Sequence, residues 1–63
     1  MYLTDFGMIT NLEGRFVLVA NLHSEDGRIG FWSSEHPRRS RTVALRGLRR
    51  LQAKGVVSIS SLF

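Results

Sequence analysis

Residues 15–34, RFVLVANLHSEDGRIGFWSS, predict a β-hairpin, because they hold two strand-like runs separated by a turn signal. In the first run, residues 15–22, Phe16, Leu18, Ala20 and Leu22 alternate with Val17 and Val19, which is the two-residue period of a strand. Both faces of this strand are apolar. We therefore expect it at the centre of a sheet, or with a partner covering its second face.

The Asp26–Gly27 pair predicts a hairpin turn, because glycine adopts positive φ without strain. The returning strand, residues 28–34, places Ile29 and Phe31 on one face and Trp32 on the other. Upstream, residues 2–10 predict a first strand, in which Thr4, Phe6 and Met8 would share one face, and turn residues follow at 11–14.

A helix is predicted from about Ser40 to Ala53. Pro37 ends the preceding strand, because it cannot donate to a ladder. Ser40 suits the N-cap, with an earlier start at Pro37 as the alternative, and Gly55 suits the left-handed position after the helix. An apolar stripe would cover the sheet, and basic residues lie on the opposite arc. The stripe comprises Ala44, Leu45, Leu48 and Leu51.

The tail alternates again, and Val57, Ile59 and Phe63 predict a short fourth strand. The predicted fold class is therefore α+β: a three-stranded antiparallel meander packed by one helix, with a short C-terminal strand. Residues 1–63 are expected to form a single small domain, with the ordinary globular composition of 43% hydrophobic and 22% charged residues.

Several short matches run through residues 14–51: RFVLVAN at 15–21, GRI at 27–29, SE at 34–35, Ser40, Ala44 and RGL at 46–48. This pattern resembles the YegP-like family of small ββα domains. The segment LHSED, which lengthens the turn, and the Pro-Arg-Arg stretch in place of an aromatic residue depart from the family pattern. The resemblance implies a strand–turn–strand–helix unit and no specific biochemical role.

Charge is divided unevenly along the chain. Residues 1–36 carry all five acidic and two of the nine basic residues, a net −3, whereas residues 37–63 carry seven basic residues and no acid, a net +7. The planar guanidinium group of arginine suits phosphates and carboxylates, so this excess of arginine favours an anionic partner. The alternative is a solvated face, partly paired with Glu25, Asp26 or Glu35. The seven residues are Arg38, Arg39, Arg41, Arg46, Arg49, Arg50 and Lys54.

Other side chains carry weaker signals. Trp32 could stack on a base or anchor an interface, but packing against Val17 and Val19 is the simpler expectation. The spacing of His23 and His36 fits no metal motif, and no cysteine is present, so neither a metal nor another cofactor is expected. No serine lies in a nucleophile motif, and a chain this short has little room for a pocket, which predicts a non-enzyme.

Two functions remain. The first is nucleic-acid binding through phosphate contacts, without base readout, since the basic arc has no suitable Asn or Gln. The second is a phage- or plasmid-type accessory or inhibitor that docks on a larger, acidic protein, as the two-sided apolar strand and the apolar C-terminus suggest. The same features allow a homodimer through sheet edges.

No membrane association is expected. No apolar run approaches the roughly 20 residues that cross a bilayer, and the apolar helix face is needed to cover the sheet. The N-terminus also lacks the basic and apolar regions of a signal peptide, so a cytoplasmic location is expected.

Overall fold

A computed structural model describes residues 1–62, with side chains described through Ser60. The chain forms β1 (Tyr2–Thr10), β2 (Phe16–His23), β3 (Ile29–Ser33), α1 (Arg41–Lys54), β4 (Val57–Ser58) and a final 3-10 helix (Ile59–Leu62). The four strands make one antiparallel sheet in the order β3-β2-β1-β4, and α1 packs on one side of it. The predicted α+β fold is confirmed.

The C-terminal strand is shorter than predicted. It pairs Val57 and Ser58 with the start of β1, and the backbone then turns into the 3-10 helix at Ile59, so Ile59 is not a strand residue. Phe63, which was assigned to the same strand, lies outside the described residues.

Strand β2 is central, as predicted, and its two faces have different surroundings. Leu18 and Ala20 are buried beneath the helix, on what we call the covered face. Val17 and Val19 point to the opposite side, the open face, where Val17 is buried among its sheet neighbours and Val19 is half-buried. Strand alternation therefore separates a core from a second, partly exposed surface.

A β-bulge follows Thr4 and changes the alternation in β1. Asp5 and Phe6 together lie opposite Ala20, and Asp5 has a positive φ of 55°, which aspartate tolerates better than most residues. The extra residue returns Phe6 and Met8 to the covered face. The prediction that Thr4 shares their face is therefore wrong, because a bulge shifts the two-residue period by one position.

The helix packs mainly on β1 and β2. A Cβ atom added to Gly47 would lie 3.6 Å from Leu18 Cδ1, so the helix backbone runs close to the sheet at this point. The Gln52 Nε2 atom donates a 3.2 Å hydrogen bond to the Phe6 carbonyl oxygen at the bulge. The buried core joins β1, β2 and β4 to the helix, and Trp32 of β3 packs against its edge. Its members are Leu3, Phe6, Leu18, Ala20, Leu48 and Val57.

The open face combines exposed apolar residues with a small polar group. Ile9, Ile29 and Phe31 are 49%, 67% and 69% exposed. Beside Ile29 the Tyr2 ring stacks on His23, with centroids 4.6 Å apart. The polar atoms here bond to one another: Thr4 Oγ1 lies 2.7 Å from His23 Nε2, and Asn21 Nδ2 donates to Asp5 Oδ2 at 3.0 Å.

Candidate nucleic-acid interface

Both ends of α1 are capped as the sequence predicts. Ser40 has an extended backbone, and its hydroxyl accepts a 3.4 Å hydrogen bond from the Val43 N–H. Gly55 has the positive φ that glycine favours, 73°, but its ψ of −71° lies outside the predicted left-handed helical region, and its N–H donates at 3.2 Å to the carbonyl oxygens of Leu51 and Gln52. The helix therefore starts after Ser40, and the alternative start at Pro37 is wrong.

The seven basic residues after Pro37 form what we call the basic surface. Five lie on the helix, and two lie in the segment that leads into it. All seven are exposed: Arg38, Arg39, Arg41, Arg46, Arg49, Arg50 and Lys54.

None of these seven cations forms an ion pair with a described carboxylate. The ion pairs of the described side chains are Arg15 with Glu13, at 3.8 Å, and Arg28 with Asp26, at 3.1 Å. Pairing of the basic surface with Glu25, Asp26 or Glu35 is therefore wrong, whereas the alternative of a solvated face agrees with the exposure of all seven cations. Asp26 is instead engaged at the tip of the β2–β3 hairpin.

The positions of the cations cost the helix some stability. Arg46, Arg50 and Lys54 follow one another at four-residue intervals, and each such like-charge pair costs about 0.2–0.5 kcal/mol. The first helical turn has no acidic residue, and Arg41 places another cation at the positive end of the helix dipole. A bound polyanion would relieve both costs.

A backbone bridge fixes where the basic surface begins. The N–H of Ser34 bonds to the Leu18 carbonyl, and the chain then leaves the sheet through residues 35–37. It returns at Arg38, whose N–H and carbonyl each form a 2.8 Å hydrogen bond with the backbone of Phe16. This bridge holds Arg38 against β2, so the entry to the helix is anchored to the sheet.

Trp32 lies on the covered face, directly opposite Ala20 in the strand register, and is half-buried against the core. The expectation that it packs against Val17 and Val19 is wrong, because those two residues point to the other face. The prediction that Trp32 lies on the opposite face of the strand from Ile29 and Phe31 is confirmed.

Because α1 packs mainly on β1 and β2, a depression of about 350 Å³ remains beside β3, which we call the Trp32 groove. Three apolar side chains and four polar ones line it: Leu18, Trp32 and Leu51, with Ser34, Glu35, His36 and Arg38. Arg38 thus belongs both to this groove and to the basic surface. A second depression, of about 330 Å³, lies on the helix at Thr42, Leu45, Arg46 and Arg49.

The residues considered for other chemistry lie apart. His23 is engaged with Tyr2 and Thr4 on the open face, whereas His36 lies at the Trp32 groove. Among the described residues, no three His, Asp or Glu side chains come together as metal ligands. The described chain also has no helix with the length and hydropathy of a transmembrane segment.

The sequence identified the members of the basic surface but not the groove. Ser34, Glu35 and His36 approach Trp32 because of the Phe16–Arg38 bridge, and that bridge has no sequence signature. Pro37 predicted that the chain would leave the sheet after the third strand. It did not predict that the chain would pair with β2 again at Arg38.

Scans against protein-family models, curated proteins and solved structures found no match to this chain. The resemblance of residues 14–51 to the YegP-like family stays a prediction.

Proposed function

We propose that this protein is a small, non-enzymatic, cytoplasmic module that binds nucleic acid through phosphate contacts from the basic surface. The observation that carries the proposal is the set of seven exposed cations, none of which pairs with a described carboxylate. A surface of this kind attracts a polyanion, because each phosphate that it neutralises releases a condensed counterion.

The helix spaces the cations suitably for such a ligand. Arg46, Arg50 and Lys54 rise about 6 Å from one to the next, since each residue of a helix adds about 1.5 Å. A nucleic-acid strand in a duplex carries one phosphate per roughly 3.4 Å of axial rise, so flexible side chains at this spacing can each reach a different phosphate.

Binding should depend steeply on salt. If four to seven phosphates are neutralised, the logarithm of the binding constant should fall with the logarithm of salt concentration with a slope of about −3 to −6. A titration of a fluorescent oligonucleotide at several salt concentrations measures this slope. An affinity that does not change with salt would contradict the proposal.

Arg50→Glu separates binding from folding. The new carboxylate would lie four residues from both Arg46 and Lys54, and each favourable pair should add about 0.2–0.5 kcal/mol to helix stability. Nucleic-acid affinity should nevertheless fall more than about tenfold, and the salt slope should become shallower by about two. Loss of binding by a more stable variant cannot be explained by unfolding.

Arg28→Glu is the matched control. It makes the same change in net charge at the hairpin tip, where Arg28 already pairs with Asp26. We expect it to keep most of the affinity of the unmodified chain. Equal losses in the two variants would show that net charge alone, rather than the basic surface, determines binding.

The open face favours a second candidate function. Phe31 and Ile29 are exposed close together on one face, and Ile9 is exposed at the other end of the same face, a pattern typical of a protein contact. An accessory or inhibitor protein that docks on a larger, acidic partner would use these residues together with the basic surface, and a homodimer could use the free edge of β3.

Purification with and without nuclease distinguishes the two candidates. Absorbance at 260 nm that nuclease removes supports nucleic-acid binding, whereas a stoichiometric protein that resists nuclease supports the second candidate. Phe31→Ser should weaken only the protein contact, because Phe31 lies on the face opposite the helix.

A further inference from the structure

We infer that the Trp32 groove binds one unpaired base of a single-stranded nucleic acid, whose phosphates continue from Arg38 onto the basic surface. The inference rests on the proposed function and narrows its ligand to strands with unpaired bases.

The groove exists because the helix lies to one side of the sheet. Trp32 belongs to the edge strand β3, and its indole packs partly on the core while it also lines the groove beside the helix. Leu18 of the central strand and Leu51 of α1 complete an apolar lining. An indole within an apolar surface suits the flat face of a base, because stacking on aromatic side chains tolerates any base.

The charged residues at the groove indicate where the base and its phosphate would lie. Glu35 at the groove repels a phosphate, whereas a base is uncharged. Arg38 also lines the groove, and its guanidinium forms no ion pair with a described carboxylate, Glu35 included. The Phe16 bridge fixes the Arg38 backbone beside the groove, so the guanidinium of this exposed residue can reach a phosphate next to a stacked base.

The groove has room for a base. About 350 Å³ is near the lower end of the range for small-molecule pockets, and a single base fits within it. A base within a duplex has both faces covered by its neighbours and must be unpaired and unstacked before it can enter such a site. The groove therefore favours single strands over duplexes.

Trp32 is the only tryptophan of the chain, so its fluorescence reports directly on this groove. The experiment titrates the full chain with oligothymidylate of about 12 nucleotides, within the site sizes of single-strand binding proteins, and with an abasic oligomer of equal length and charge. We expect oligothymidylate to bind about tenfold more tightly and to quench the fluorescence. The abasic oligomer should bind through its phosphates without quenching.

The possible outcomes distinguish this inference from the proposed function. If neither oligomer binds, the proposed function fails and the inference fails with it. If both bind equally and Trp32 is not quenched, the basic surface binds phosphate but the groove takes no base, which overturns the inference alone.

Two variants complete the test, with affinity measured by the anisotropy of labelled oligomers. Trp32→Phe keeps an apolar ring in the core but offers a smaller stacking surface, so affinity for oligothymidylate should fall several-fold while abasic affinity stays constant. Phe31→Ala removes the neighbouring aromatic ring on the opposite face, and neither affinity should change. An equal effect of the two variants on oligothymidylate would overturn the assignment to the groove.

Discussion

The two faces of the sheet carry similar apolar side chains but have different surroundings. On the covered face, Leu3, Phe6 and Leu18 are buried beneath the helix. On the open face, Ile29 and Phe31 remain largely exposed. The difference shows that the apolar pattern of a strand sets which residues share a face, whereas the single helix decides which face becomes the core.

Polar residues follow the same division. The Gln52 side chain bonds to the Phe6 carbonyl from the covered face, whereas Asp5 and Asn21 bond to each other on the open face. The bulge is therefore supported from both sides. The two faces should therefore respond differently to substitution.

Leu3→Ala and Phe31→Ala test the comparison most directly. Leu3 is fully buried, so its truncation should lower the free energy of unfolding by about 2–5 kcal/mol. Phe31→Ala should lower the free energy of unfolding by less than about 1 kcal/mol, which is the range that strand propensities span. Urea denaturation of the two variants measures both changes. A loss for Phe31→Ala as large as that for Leu3→Ala would mean that the open face is also covered in solution, so that the two faces do not differ as described.

The bulge provides a second test. Gln52→Ala removes the donor to the Phe6 carbonyl and should cost about 1 kcal/mol, whereas Arg49→Ala, on the solvent side of the same helix, should change stability by less than about 0.5 kcal/mol. Thermal unfolding followed by circular dichroism compares the pair. Equal stability of the two variants would show that the Gln52 bond does not hold the helix to the sheet.

On the open face, Asp5→Ala should cost about 1–2 kcal/mol, because alanine disfavours the positive φ and cannot accept the Asn21 hydrogen bond. Asp5→Asn keeps both an acceptor oxygen and tolerance of this conformation, so it should stay within about 0.5 kcal/mol of the original chain. Urea midpoints measure the difference. If Asp5→Ala were also neutral, the bulge would not depend on the open face.

Two glycines measure how closely the helix fits the covered face. Gly47→Ala should raise stability by up to about 1 kcal/mol, because alanine favours helix and its Cβ would make an ordinary contact, 3.6 Å from Leu18 Cδ1. Gly55→Ala should instead lower it by about 1 kcal/mol, since φ is 73° there. Both changes can be read from urea midpoints, and a destabilised Gly47→Ala variant would mean that the helix lies closer to the sheet than this contact indicates.

The smallest effect lies at the hairpin tip, beyond both faces. Hydrogen bonds from the Ser24 hydroxyl and the Arg28 backbone N–H lower the pKa of Asp26 from its ordinary value of 3.8. The ionised Asp26 side chain therefore stabilises the hairpin tip at any pH above that ordinary pKa. This stabilisation is lost as the pH falls through the lowered pKa. Titration of Asp26 by nuclear magnetic resonance measures this shift. A pKa at or above 3.8 would show that the tip bonds do not persist in solution.

Much of the fold could be predicted because its signals are local. Asp26–Gly27 marked the hairpin, and Ser40 and Gly55 marked the ends of the helix, since turns and caps depend on a few adjacent residues. The members of the basic surface followed from composition alone. The face of Thr4 could not be predicted, because a bulge is stabilised by contacts with β2 and α1 that lie far away in the sequence.

Hydrophobic period, capping chemistry and charge are properties of neighbouring residues, so they were sufficient to predict the first three strands, the capped helix and the concentration of seven basic residues after Pro37. The position of the helix over β1 and β2, the groove at Trp32 and the pairing of Arg38 with β2 arise only in the folded chain. Those outcomes depend on contacts between residues distant in the chain, whose geometry is set when the strands pair and the helix packs on them.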